Sequence, residues 1–121
     1  MLNTYDRNLN QVAMQIAKVN GIKAHEGVYV ALQGPNLETP SEYQFLHRIG
    51  GDLVGMSTVP EVLVAKHSGM KTFVISVVSN QCYPLETLTE TTLEEVVQIA
   101  AEAEPKMRLI VKELLHHLNQ A

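Results

Sequence analysis

Apolar residues recur along this chain in two alternating rhythms. Leu9, Val12, Ala13, Ile16 and Val19 fall at helical spacing, and Gly21 follows as a stop. Residues 27–33 then form a short apolar run, Val-Tyr-Val-Ala-Leu at its centre, which predicts a strand. A helix start follows: Thr39 can cap, Pro40 suits the first helical position and Glu42 completes a capping box. Tyr43, Leu46 and Ile49 make that helix's apolar stripe, and Gly50-Gly51 ends it. A second strand is predicted over residues 52–56. A second capping pattern follows at Thr58-Val59-Pro60-Glu61, opening a helix that runs to about His67 and stops at Gly69.

Residues 72–79, Thr-Phe-Val-Ile-Ser-Val-Val-Ser, are apolar and β-branched, as suits a strand buried on both faces. Thr92 to Glu95 offers a third capping box. The last helix carries Val96, Val97, Ala100, Ile110, Val111, Leu114, Leu115 and Leu118, and Pro105 is expected to kink or divide it. A helix followed by three strand–helix pairs predicts an α/β fold, with a mainly parallel or mixed sheet flanked by helices. Three strands are few for such a sheet. The run at 72–79 wants neighbours on both sides, so further strands are expected from a longer parent chain or another subunit.

Composition narrows the class. A chain of 121 residues is at most one domain, 1–121. Its hydrophobic fraction of 45% and charged fraction of 18% read as a globular protein rather than a disordered one. A formal charge of −4 with scattered Lys and Arg argues against a nucleic-acid surface. No stretch is apolar for the ~18 residues a membrane span needs, and the polar N-terminus does not read as a signal peptide. The single cysteine, Cys82, allows no intrachain disulfide and fits a reducing cytoplasm. His25, His47, His67, His116 and His117 show no metal-ligand spacing and read as surface or helix-end residues, so no metal is expected. No Gly-x-Gly-x-x-Gly or Walker-type loop is present.

Three segments lie where predicted strands give way to loops, the place where open α/β sheets collect ligands. They are Gly34-Pro35-Asn36-Leu37-Glu38-Thr39, Gly55-Met56-Ser57-Thr58-Val59-Pro60-Glu61 and Ser79-Asn80. Together with Tyr5-Asp6-Arg7 they closely resemble the C-terminal half of the trimeric-type purine nucleoside phosphorylases, and the similarity runs over nearly the whole chain. The resemblance implies a partial phosphorylase fold that begins midway through a protein about twice this length. It places the glycine-rich phosphate loop and a ribose-side Tyr in the other half.

By residue type alone, Glu38 reads as a solvated loop carboxylate, Asn80 as a strand-closing turn residue, Met56 as core and Ser57 as a helix cap. The resemblance assigns them more. It implies that Glu38 accepts from the N1–H edge of a 6-oxopurine, which suits an ionised carboxylate. It implies that Asn80 donates to purine N7, where negative charge gathers as the glycosidic bond breaks. It puts Met56 against the ribose, Ser57 on the phosphate, Leu37 where the family often stacks an aromatic on the base, and Tyr29 near the sugar or in the core. The family often has a His bonding the ribose 5′-hydroxyl where this chain has Leu93.

The implied reaction is phosphorolysis of inosine, guanosine and their deoxy forms to free base and sugar 1-phosphate, with orthophosphate as co-substrate and no cofactor. The implied setting is a trimer in the cytoplasm. Methylthioadenosine phosphorolysis is the rival that Leu93 makes thinkable. A fragment that folds and associates without chemistry is the other.

Overall fold

The computed structural model describes residues 1–120. Its elements run α1 (Arg7–Val19), β1 (Tyr29–Ala31), α2 (Pro40–Arg48), β2 (Leu53–Gly55), α3 (Val59–His67), a short 3-10 turn (Leu85–Thr87) and α4 (Leu93–Gln120). All four predicted helices form. Among the described residues no helix is long and apolar enough to cross a membrane.

Helix α1 begins where Asp6 accepts hydrogen bonds from the Asn8 and Leu9 amides, at 2.9 and 3.1 Å. Its periodic stripe turns Leu9, Ala13 and Ala17 inward against Ile110 and Leu114 of α4. Ala17 is only 1% exposed, so the two helices approach closely at that level. Ile22, Ala24, Phe73 and Ile75 close the sides of this cluster. Burial of that apolar surface is what holds the long C-terminal helix to the rest of the chain.

Strands β1 and β2 pair in parallel, with Tyr29 opposite Leu53, Val30 opposite Val54 and Ala31 opposite Gly55. Helix α2 is the crossover between them. Its capping box is complete: Thr39 Oγ1 accepts from the Glu42 amide, and the Glu42 carboxylate accepts from the Thr39 amide at 2.7 Å. The turn out of α2 demands glycine. Gly50 has φ +92°, and a Cβ on Gly51 would meet Val30 Cγ2 at 2.7 Å and the Leu46 carbonyl at 3.0 Å. The third capping box also forms, between Thr92 and Glu95.

Four expectations are corrected. Both strands are shorter than the apolar runs that predict them. Residues 72–79 form no strand: the only backbone hydrogen bond outside helices and ladders in that run is the one the Thr72 carbonyl accepts from the Asp6 amide, at 2.9 Å. A β-branched run becomes a strand only beside a partner, and among the described residues none reaches it. Thr58 makes no side-chain cap; it sits at φ 78°, ψ −58°, the centre of a γ-turn closed by the Val59 amide on the Ser57 carbonyl at 2.9 Å. Pro105 does not divide the last helix, which is continuous from Leu93 to Gln120.

Candidate functional site

The loops that leave β1, β2 and the 72–79 run gather the residues singled out in the sequence. In the first loop, Gly34 (φ +68°) lies against the Met56 side chain; a Cβ there would overlap Met56 Sδ. Met56 comes from the end of β2, so bare glycine backbone lets the two loops close on each other. The Tyr29 ring does the same across the strand pair. It covers Gly55, where any Cβ would overlap its hydroxyl, and that hydroxyl lies 3.5 Å from the Ser57 amide. Ser57 Oγ is 3.3 Å from Thr58 Oγ1, beside the strained γ-turn. Tyr29, Met56 and Ser57 therefore occupy one neighbourhood.

A second group forms where α2 meets the segment after Asn80. Glu38 is half-buried and stands just before the Thr39 cap. Tyr43, one turn into α2, is 7% exposed. Its hydroxyl faces Cys82 and Glu38. Burial first, then the nearby Cys82 and then Glu38, push the phenol above its ordinary pKa. Cys82 Sγ in turn accepts from Asn80 Nδ2 at 3.2 Å. Glu38, Tyr43, Cys82 and Asn80 are thus polar neighbours in turn, with a hydrogen bond at the Asn80–Cys82 step. His47 stacks on Tyr83 with ring centroids 3.9 Å apart, which clamps the outer face of α2 to the same segment.

Both donors of the Asn80 amide are engaged. Its Nδ2 donates to Cys82 Sγ and, at 3.1 Å, to Thr91 Oγ1, while its Oδ1 accepts from Ser79 Oγ at 3.0 Å.

Leu37 is 56% exposed on the open side of the first loop, and Leu93 is 73% exposed at the start of α4. The residues that sequence reasoning passes over are Tyr43, which the spacing puts on an apolar stripe, Cys82 and Thr91. The hydroxyl on an otherwise apolar stripe was the available signal for Tyr43. Nothing in the sequence singles out Thr91, which lies 11 residues from its partner. Among the described residues no group of three His, Cys, Asp or Glu side chains is placed to hold a metal ion. Two open hollows beside α1, bordered by Tyr5, Arg7 and Glu26 and by Met14, Lys18 and Ile22, share no residue with the site.

Residues 1–116 match the family described as Phosphorylase superfamily. The chain is 38% identical over 120 residues to purine nucleoside phosphorylase 1 of Geobacillus stearothermophilus, covering 98% of this chain and 43% of that protein. It is 39% identical over 118 residues to purine nucleoside phosphorylase of Bos taurus, covering 95% and 41%. Among solved structures, a Schistosoma purine nucleoside phosphorylase in complex with guanosine superposes with TM-score 0.87 at 39% identity, over 93% of this chain and 42% of that one. The chain spans less than half the length of the relatives named here. Fold, motif and family match agree, and the chain belongs to the phosphorylase superfamily.

Proposed function

We propose that this chain supplies the purine side of a site that cleaves 6-oxopurine nucleosides by phosphorolysis. One observation supports the reading: Asn80 donates to Cys82 Sγ at 3.2 Å, and Cys82 and Glu38 both act on the buried Tyr43 phenol, so the first and third loops meet at α2. Glu38 accepts from purine N1–H, and Asn80 donates to N7. Orthophosphate attacks C1′ as the C1′–N9 bond breaks, and the bonding pair passes to the purine. A donor at N7 stabilises that charge more as it grows than before, so it lowers the barrier rather than only the binding free energy. Ser57 serves the phosphate, Met56 and Tyr29 the ribose, and Leu37 the face of the base by apolar contact. Orthophosphate is the co-substrate and no organic cofactor or metal is called for. The remaining phosphate contacts come from a companion N-terminal half or from neighbouring subunits of a homotrimer, in the cytoplasm. Related structures holding guanosine and inosine support the substrate class.

Equilibrium titration of the chain with inosine and adenosine tests this. Inosine binds more tightly, and Glu38→Gln weakens inosine by about tenfold or more, as expected for a hydrogen bond to a charged group, while leaving adenosine nearly unchanged. Equal affinity for both nucleosides, or a preference that survives the substitution, would overturn the assignment.

A further inference from the structure

Asn80 presents an accounting problem. A primary amide has two N–H donors, and both are already spent inside the chain, on Cys82 Sγ and Thr91 Oγ1. A purine N7 can be served only if one is released. The two acceptors differ in strength: a thiol sulfur is a weak acceptor, a hydroxyl oxygen an ordinary one. They differ in setting too. Cys82 is two residues along the same loop, whereas Thr91 belongs to the segment that leads into the α4 capping box, anchored by Thr92 and Glu95. Ser79 holds the amide oxygen from the third side and fixes which way the carboxamide faces.

We propose that Thr91 is a positioning residue that keeps the Asn80 carboxamide aimed at the base, while Cys82 holds in reserve the N–H that purine N7 takes on binding. This rests on the phosphorolytic reading above and adds to it a division of labour among residues that touch no substrate. Binding exchanges an N–H···S contact for an N–H···N one, with no bond left unmade. The Thr91 bond persists through the exchange and limits how far the amide can swing. Without it the donor is still present but no longer held in line, which matters because hydrogen bonds weaken steeply off axis.

The discriminating probe is 7-deazainosine, which carries C–H in place of N7 and cannot accept from Asn80. Affinities of the chain for inosine and 7-deazainosine are measured for wild type, Thr91→Val, Thr91→Ser and Cys82→Ala, with circular dichroism confirming that each variant is folded. Thr91→Val weakens inosine about fivefold, as suits the loss of one neutral hydrogen bond, and leaves 7-deazainosine unchanged. Thr91→Ser, which keeps the hydroxyl, restores inosine binding. Cys82→Ala frees the reserved N–H and tightens inosine alone. Equal weakening of both nucleosides by Thr91→Val would reduce Thr91 to a structural residue and overturn the inference while leaving the site intact. Indifference of inosine to both Thr91→Val and Cys82→Ala would do the same. A wild-type chain that takes up neither nucleoside overturns the functional reading itself, and the inference with it.

Discussion

Tyr43 shows how one atom changes a residue's meaning. Its ring fills the inner stripe of α2, as the spacing with Leu46 predicts, but its hydroxyl lies near Cys82 and Glu38. The pKa is raised in the folded chain, chiefly by burial, so the neutral phenol is the form that folding favours. The sign follows. That stabilisation is complete below the unfolded value of about 10 and is lost as pH rises above it, because the unfolded chain then gives up the proton more readily. Urea midpoints of the wild type should be level through neutral pH and fall beyond about pH 10. Tyr43→Phe should flatten that alkaline limb. An identical limb in both proteins would mean the phenol titrates freely. The glycines work by subtraction: Gly34 admits Met56 and Gly55 admits the Tyr29 ring, and neither position has room for a methyl group.

At the scale of elements, two modules are built on different physics. The β1–α2–β2 unit is positioned by local chemistry: a capping box at one end, glycines at the other and a three-residue parallel ladder between. The α1–α4 pair is held by apolar burial of Leu9, Ala13, Ala17, Ile110 and Leu114. Leu114→Ala should therefore cost about 2–5 kcal/mol in urea unfolding, since it leaves a cavity between two helices that cannot both collapse. Its neighbour Leu115 is 54% exposed, and Leu115→Ala should change stability by less than about 0.5 kcal/mol. Comparable losses at both positions would show that α4 does not pack in the register described.

Seen whole, the chain leaves much apolar surface in the open. Phe45 and Ile49 on α2, Leu63 and Val64 on α3, and Leu115 and Leu118 on α4 are all exposed. Among the described residues the sheet has two strands, and residues 73–79 add no ladder bond to it. Where such side chains adjoin, they mark surfaces that bind or aggregate. The native chain should enhance the fluorescence of anilinonaphthalene sulfonate in buffer without denaturant. Failure to bind the dye would mean that these side chains are covered in solution.

Local signals in the sequence determined a good deal by themselves. The two Thr–Glu capping boxes, the helix-stopping glycines and the α1 stripe depend on residues within a turn or two of one another, so they could be read without knowing the fold. The loop motif at Met56 and Ser57 does follow a strand, β2, whereas Asn80 ends a run that forms no strand. What depends on distant partners was decided by tertiary structure. The apolar run at 72–79 has strand propensity, but a ladder needs a second backbone alongside, and none is there among the described residues. Thr58 has a capping residue's identity, yet the close of the loop onto Tyr29 and Ser57 leaves it at the centre of a γ-turn. The Asn80–Thr91 bond and the nearness of Tyr43 to Cys82 join positions far apart in the chain. Periodicity reports which way a side chain faces along its own element, and only the packing of elements decides which other side chain it meets.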